Sequence, residues 1–253
     1  MATTSTSSGT RIDEIDDGLF RISTPVPAVP GGFTFNQYLI RDDMPLLFHT
    51  GPRAIFGEVR EAIAKVMRPQ DLRYIGFSHI ESDECGSLNQ FLTLAPQAAP
   101  LCGRIGAMVS VTDLADRAPV VLADAEALAL GKHQVRWFDA PHVPHGWECG
   151  FLMDDTAGAL LCGDLFTMLG ERPPSVDGDI VGPAIAAEDL FGYSALSPHM
   201  GSTIRDLARL APTTLALMHG PSYRGDGATA LLALAEDYDR RGADRQGRTQ
   251  LAA

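Results

Sequence analysis

The sequence predicts an α/β protein with four layers, in which two β-sheets pack face to face and helices cover both outer surfaces. Near the N-terminus, the runs DGLFRIST, FNQYLIRDD and PLLFHTG are separated by turn residues, which indicates consecutive strands of an antiparallel meander. A second β-rich block contains QVRWFDA, GFLMDD and GALLCGD. Segments with helical periodicity follow both blocks. This order favours an αββα sandwich over a doubly wound sheet, whose first strands would be joined by helices.

Length and composition favour a single domain with a large core. The chain has 253 residues, of which 45% are hydrophobic and 21% are charged, close to the usual globular mixture. Both ends are polar and show no periodic pattern. We therefore expect a flexible N-terminus at residues 1–12, a folded domain at residues 13–241 and a flexible tail at residues 242–253.

Charge and cysteine usage exclude several classes of protein. The net charge of −12 argues against nucleic-acid binding, which depends on a basic surface. No apolar run approaches the roughly 18–20 residues of a membrane span, and MATTSTSSGT does not resemble a signal peptide. We expect a cytoplasmic protein without membrane contact. The spacing of the cysteines fits neither a redox pair nor a zinc ribbon, which predicts mostly buried free thiols at Cys85, Cys102, Cys149 and Cys162. Cys85 is the exception, because its position among the polar residues 79–86 leaves open a reactive role or a role in supporting that motif.

The helices are predicted from apolar spacing and from their end signals. FGEVREAIAKVM carries apolar residues at helical spacing and stops before Pro69. SLNQFLTLAP is expected to begin at Ser87, and another helix to begin after Ser197. The last helix is expected from about Ala228 to Arg240. Residues 166–183 are rich in Gly, Pro and Asp, which indicates a long loop over one face of the domain.

Polar donors follow the ends of several predicted strands. The strand-like run RYIGFSH leads into His79, Glu81 and Asp83, which alternate along the chain. In an extended conformation, alternate side chains point the same way and can approach one metal cluster. His142, Asp164 and His219 each lie just past another apolar run, at the position where α/β folds bind their ligands. The sequence therefore predicts a metal centre built from four separate stretches.

These motifs resemble the metallo-β-lactamase superfamily, and within it the flavodiiron and oxygen-binding di-iron branch. The hydrolases of the superfamily typically carry HxHxDH, whereas this chain has His79-x-Glu81-x-Asp83. Gly163-Asp164, His219-Gly220 and the spacing of His142 to Pro144 are also similar to the superfamily pattern. The resemblance covers nearly the whole chain and implies the αββα metallo-β-lactamase sandwich.

The resemblance also implies a set of metal ligands. His79, Glu81, His142 and Asp164 would bind the first ion, while Asp83, Asp164 and His219 would bind the second. The chain departs from the family at Glu84, where a histidine is usual, and at His49, where an aspartate is common. Glu84 is a candidate catalytic residue that could bind the second metal, donate a proton or point away. His49 is interpreted as a hydrogen-bonding residue rather than a ligand.

Other histidines and aromatic residues near these motifs could be ligands, wall the pocket or serve simple structural roles. His145 is a rival to His142 as a ligand, and His133 and His199 are interpreted as surface residues. Aromatic side chains that could wall the pocket are Trp147, Phe166, Tyr193 and Tyr223. Tyr223 is the candidate catalytic residue among them because it follows His219 closely.

The donor set and the resemblance together lead to a functional expectation. Three carboxylates and three imidazoles suit iron or manganese better than a zinc site rich in histidine or thiolate. We expect two iron ions, with manganese or zinc as alternatives, and a protein that binds or reduces dioxygen, nitric oxide or peroxide, or uses dioxygen on a substrate. Full flavodiiron enzymes carry a flavodoxin domain for electron delivery, but the sequence leaves no room for one after His219, so we expect no flavin in this chain and an external electron donor. The resemblance also implies a homodimer. The alternative is a metal-dependent hydrolase of an ester, thioester or lactone, with Asp83 or Glu84 accepting the proton of a metal-activated water. A metal-free structural relative would leave all six donors idle.

Overall fold

Two β-sheets form the centre of the computed structural model, which describes residues 3–6, 9–29, 31–170 and 172–251. Within these residues, the strands of the first sheet follow chain order: β1 (Thr3–Ser5), β2 (Arg11–Asp16), β3 (Leu19–Pro25), β4 (Thr34–Ile40), β5 (Leu46–Phe48), β6 (Tyr74–Gly76), β7 (Ala99–Gly103) and β8 (Val120–Leu122). Strands β1 to β5 pair antiparallel, and β5 to β8 pair parallel. The predicted N-terminal meander therefore forms, and β2 and β3 pair across a short turn.

The second sheet has a different strand order. Its strands are β9 (Ala127–Ala129), β10 (Gln134–Asp139), β11 (Gly150–Asp154), β12 (Ala159–Leu161), β13 (Ser175–Val176), β14 (Thr214–Ala216) and β15 (Ser222–Arg224), arranged as β13-β15-β14-β12-β11-β10-β9. Strands β9 to β12 form an antiparallel meander, and β14 joins β12 in parallel. The ends of β6, β12 and β14, together with the loop between β10 and β11, converge on the site described below.

Helices connect the strands and cover the sheets. They are α1 (Phe56–Ala64), α2 (Ser82–Cys85), α3 (Leu88–Leu94), α4 (Arg104–Gly106), α5 (Thr112–Leu114), α6 (Val181–Phe191), α7 (Met200–Ala208) and α8 (Gly227–Leu251), with a π-helical stretch at Ala107–Val111 and 3-10 turns at Arg53–Ile55 and Pro69–Asp71. In the described residues, none of the helices combines the length and the apolar character that a membrane span requires.

Three clusters of buried apolar residues show the layers. Tyr38 and Ile40 of β4 point between the sheets, where they pack with Trp137 and Leu161. Leu39 lies between them in sequence and points to the opposite face, where it packs with α1 and α3. This alternation follows from the two-residue period of a strand. The outer face of the second sheet packs against α7 and α8. The predicted four-layer αββα sandwich is confirmed.

Several local predictions differ from the structure. Both ends carry secondary structure that the sequence pattern did not indicate, because β1 pairs with β2 and α8 continues beyond residue 241 to Leu251. The flexibility expected of the two ends stays a prediction, and residues 1, 2, 7, 8, 252 and 253 lie outside the described residues. The predicted loop at residues 166–183 contains β13 and the first residues of α6. His133 is buried rather than exposed, and its Nδ1 lies 2.7 Å from Asp154 Oδ2. The contact with Asp154, which is distant in sequence, therefore explains why His133 is buried. The four cysteines are buried and free, as predicted.

Candidate metal centre

Side chains from four loops meet at one edge of the two sheets. His79 follows β6, Glu81, Asp83 and Glu84 lie in or beside α2, His145 lies in the loop between β10 and β11, Asp164 follows β12, and His219 follows β14. Their ligand atoms form overlapping groups in which every atom lies within 4.8 Å of the others. These groups are His79 with Glu81 and His145, His79 with Glu84 and Asp164, and Asp83 with Glu84 and His219.

One half of the cluster surrounds the imidazole of His79. Its Nε2 lies 2.9 Å from His145 Nε2, 3.5 Å from Asp164 Oδ2 and 3.9 Å from Glu81 Oε1. His145 Nε2 is also 3.1 Å from Glu81 Oε1 and 3.3 Å from Asp164 Oδ2. Atoms bound at right angles to one ion, with bonds of about 2.1 Å, lie about 3 Å apart. These four side chains can therefore share one ion.

The other half of the cluster surrounds His219. Its Nε2 lies 3.4 Å from Asp83 Oδ2 and 3.3 Å from Asp164 Oδ1. Asp164 thus directs Oδ2 toward the His79 group and Oδ1 toward the His219 group. A carboxylate in this position can bridge two ions.

Hydrogen bonds orient two of the imidazoles with Nε2 facing the cluster. His219 Nδ1 lies 2.9 Å from the Thr34 carbonyl oxygen, so its N–H donates there and Nε2 is left with a lone pair. His79 Nδ1 lies 2.9 Å from Ser78 Oγ, which lies 3.1 Å from His49 Nε2. If His79 donates to Ser78 and Ser78 donates to His49, then His49 is neutral and Nδ1 faces Met218 Sδ at 3.0 Å. Such outer partners fix the tautomer of metal-ligating histidines. His49 therefore lies outside the ligand set, as interpreted from the sequence.

The ionisable groups of the cluster strongly perturb one another. Burial opposes the charge of Asp164, but the imidazoles of His219, His79 and His145, which become positively charged when protonated, hold its pKa well below the usual range. Burial would lower the pKa of His145, yet the hydrogen bond to Glu81 and the charge of Asp164 raise it. The same balance, with Asp164 as the main partner, raises the pKa of His219. Burial dominates at His79 and lowers its pKa.

Glu84 is the least compensated member of the cluster. Its side chain is fully buried, and neither carboxylate oxygen has a hydrogen-bond partner among the described residues. Burial, followed by the charges of Asp164 and Asp83, raises its pKa well above the ordinary value. Within the described part of the chain, no Lys or Arg forms a salt bridge with the cluster's carboxylates. Buried anionic oxygens without compensation are costly, so this donor set fits a centre of bound cations.

Two glycines allow the loops to approach this closely. A Cβ atom on Gly146, whose φ is +78°, would lie 3.2 Å from His79 Cβ. A Cβ atom on Gly163, whose φ is +48°, would lie 2.8 Å from Ser78 Oγ. The Gly-Asp pair recognised in the sequence therefore has a steric reason, because the chain before Asp164 packs against the serine that orients His79.

Two expectations about this region require correction. The residues after His79 are not extended throughout: Glu81 is extended, but α2 begins at Ser82 and carries Asp83 and Glu84. His142 is exposed, has a φ of +63° and donates its backbone N–H to the Gly146 carbonyl oxygen at 2.7 Å. This contact closes the loop so that His145, rather than His142, faces His79. A signal in the sequence favours His145, since it precedes glycine, as His219 does.

The aromatic surroundings also differ from expectation. The Tyr223 hydroxyl lies beside Gly225, and the ring packs against the apolar cluster between the second sheet and helices α7 and α8. Tyr193 instead approaches the cluster, with its ring centroid 6.1 Å from that of His145 and its hydroxyl donating to the Asp164 carbonyl oxygen at 3.2 Å. Phe33, which pattern analysis did not single out, stacks on His219 with centroids 4.3 Å apart. Phe166 is buried in the core and Trp147 is half exposed.

Comparison with known proteins agrees with this architecture. The family model described as "ODP family beta lactamase" matches residues 33–180, more than half of the chain. The chain belongs to this family. This match confirms the predicted resemblance to the β-lactamase-like proteins, and relatives and solved structures to which the chain is similar include flavodiiron proteins.

Curated relatives include flavodiiron-type proteins. The chain is 25% identical over 221 residues to the rubredoxin-oxygen oxidoreductase of Megalodesulfovibrio gigas, covering 78% of this chain and 50% of that protein. It is also 25% identical over 228 residues to the nitric oxide reductase of Moorella thermoacetica, covering 87% and 55%, respectively. The chain thus spans about half the length of these two relatives.

Solved structures show the same fold. The rubredoxin oxygen:oxidoreductase of Desulfovibrio gigas superimposes with a TM-score of 0.78 at 21% identity, covering 90% of this chain and 61% of that one. The Flv1 flavodiiron core of Synechocystis gives a TM-score of 0.75 at 19% identity, covering 97% and 62%. At these identities the likeness establishes the fold, and the ligands are assigned below from this chain's own geometry.

Proposed function

We propose that this chain is a di-iron protein that binds dioxygen or nitric oxide and reduces it with electrons from an external donor. The observation that carries the proposal is the position of Asp164, whose two oxygens face two separate groups of imidazole and carboxylate donors. The names of the relatives, a rubredoxin-oxygen oxidoreductase and a nitric oxide reductase, support the same reaction class.

The proposed ligands follow from the distances. His79, Glu81, His145 and Asp164 would hold the first ion, and Asp83, Asp164 and His219 the second. Glu84 Oε2 lies 3.9 Å from His79 Nε2, and its carboxyl groups with Asp83 and His219. We assign Glu84 either to the second ion or to delivery of a proton, two roles that a buried carboxyl with a raised pKa can fill.

The choice of iron rests on the chemistry of the donors. The site offers oxygen from carboxylates at positions where imidazole-rich zinc sites offer nitrogen, and this mixture suits iron or manganese. Two ferrous ions held together would supply two electrons to a small oxidant bound between them. The side chains of this chain would orient the ions, and the rings of Tyr193 and Phe33, which pack beside His145 and His219, would shield these ligands from solvent.

Metal analysis and visible spectroscopy test the proposal. Protein from iron-supplemented cells should contain about two irons per chain, and its absorption should change when the reduced protein meets oxygen. Two zinc ions and turnover of an ester would instead support a hydrolase. The Glu81→His variant should shift the metal content toward zinc, because it restores the imidazole typical of the hydrolases. Unchanged iron content would contradict the role given to Glu81.

A further inference from the structure

A cavity lies beside the metal cluster, on the side of His219. It has a volume of about 800 Å³, within the range of small-molecule sites. The turn between β3 and β4 and the segment after β12 form its walls, and Phe33, Thr34 and Gly220 line it. Phe33 stacks on His219, and the Thr34 carbonyl oxygen accepts the His219 N–H. The cavity is therefore one aromatic ring away from the proposed second metal position.

The cavity is positively charged although the protein is acidic overall. Arg11, Arg21 and Arg172 line it, and no carboxylate does so among its described lining residues. In the described part of the chain, no hydrogen bond or ion pair is found for the guanidinium groups of Arg11 or Arg172. These two side chains are free to bind an anion.

Arg21 places a further positive charge at the inner end of the cavity. It is 1% exposed, and Nη2 donates to the Gly220 carbonyl oxygen at 2.7 Å. Its Nε and Nη1 atoms find no hydrogen-bond partner within the part of the chain that the structure describes. Asp13 stands opposite Arg21 across the β2–β3 pair and supplies the nearest compensating charge. Burial lowers the pKa of Arg21, and the nearby charge of Arg11 lowers it further.

The remaining lining of the cavity is largely apolar. Proline and valine side chains form much of the wall together with Phe33, namely Pro25, Val26, Pro27, Val29 and Pro173. Ser23 and Thr34 add hydroxyl groups. A free inorganic ion would leave this apolar surface uncovered, whereas an organic body would bury it.

We propose that this cavity binds a small organic molecule carrying one oxyanion, a carboxylate or a phosphate, with Arg11 and Arg172 as its direct partners and Arg21 as a buried positive charge. Guanidinium groups pair with both oxyanions through charge-assisted hydrogen bonds. The ligand's apolar body would pack on Phe33. This binding does not depend on the identity of the metals, so it can be tested separately from the proposed di-iron function.

Fluorine NMR titration of the full chain tests the proposal with three probes of similar shape: 4-fluorobenzoate, 4-fluorophenyl phosphate and neutral 4-fluorobenzyl alcohol. At least one anionic probe should bind at least tenfold more tightly than the alcohol, and the tighter of the two identifies the headgroup. Equal affinity for the alcohol, or no binding of either anion, would overturn the proposal.

Variants locate the bound anion. The double variant Arg11→Gln, Arg172→Gln should weaken anion binding at least tenfold, while Arg68→Gln, which alters an exposed arginine outside the cavity, should not. Arg172→Glu is a second variant, because Arg172 is exposed and its replacement leaves the core intact. Asp164→Asn, which disrupts the metal cluster, should leave anion affinity unchanged. Loss of binding in Asp164→Asn but not in the arginine variants would place the anion on the metals and contradict the inference.

Discussion

Two buried groups of histidine and carboxylate lie at opposite ends of the β10–β11 pair, and only one of them fits a metal centre. At one end, His133 Nδ1 lies 2.7 Å from Asp154 Oδ2, while Asp154 Oδ1 accepts backbone N–H groups from Thr156 and Ala157. Every oxygen of this carboxylate is satisfied. At the other end, several carboxylates crowd three imidazoles, and both oxygens of Glu84 lack partners.

The difference shows which observation indicates a metal. A histidine beside an aspartate is a common structural pair, and its proximity alone does not call for a cation. A surplus of acceptors that protein donors do not satisfy does call for one, because buried unpaired anions are strongly destabilising. Substitutions in the His133–Asp154 pair and in the cluster around Asp164 should therefore have different effects on metal binding.

The largest difference in metal content is expected between substitution of Asp164 and substitution of Asp154. Asp164→Asn removes the charge shared by both halves of the cluster, so the metal content should fall from about two ions per chain to less than one. Asp154→Asn should leave metal content unchanged and lower the free energy of unfolding by about 1–3 kcal/mol, the cost of weakening a buried hydrogen-bonded pair. Elemental analysis and urea denaturation measure the two effects. Full metal content in Asp164→Asn would remove the basis for a bridging carboxylate.

The next prediction compares two histidines of the same loop. His145→Ala should weaken metal binding at the first position by more than about 100-fold, because it removes a donor atom, whereas loss of an outer partner costs about 10–100-fold. His142→Ala is the matched control, since His142 is exposed and away from the cluster. Competition with a chromophoric chelator gives both affinities. If His142→Ala loses metal and His145→Ala does not, the loop geometry described above is wrong.

The loop between β10 and β11 shows which parts of the site could be predicted from the sequence and which could not. The strand ends carrying His79, Asp164 and His219 could be predicted, because apolar runs and the glycines beside the donors are local signals. The choice between His142 and His145 depends on how one loop closes through the contact between His142 N–H and the Gly146 carbonyl oxygen. The spacing to Pro144 favours His142, and only the glycine after His145 favours the residue that the structure places in the cluster. Likewise, His133 and Asp154 meet through strand pairing between residues 21 positions apart.

A smaller effect is expected from the serine that supports His79. Ser78→Ala removes the oxygen that accepts from His79 Nδ1, so the imidazole loses an orienting contact. Loss of such outer partners typically lowers metal affinity by about 10–100-fold. Ser87→Ala is a suitable control, because Ser87 Oγ donates to the Pro52 carbonyl oxygen, outside the cluster. Equal metal affinity in both variants would argue against the Ser78 contact as a determinant of metal binding.

The effect that is smallest near neutral pH is expected from His49, and it grows as the pH falls. Burial, aided by repulsion from His79, lowers the pKa of His49 to about 3. The unfolded chain binds a proton there below about pH 6.5, so His49 makes the folded state lose stability as the pH falls from about 6.5 toward 3. In the metal-free proteins, the wild type should lose up to about 1.4 kcal/mol per pH unit more than His49→Gln over this range. If the free energy of unfolding of the two proteins changed equally with pH, His49 would not be buried in its neutral form.

The most direct test of the central claim is an anomalous diffraction map at the iron absorption edge, recorded from crystals of the iron-loaded protein. Two peaks should lie about 3.5–4 Å apart, as in other two-metal sites, with one Asp164 oxygen directed at each and His145 beside the first peak. A single peak, or two peaks without Asp164 between them, would contradict the account.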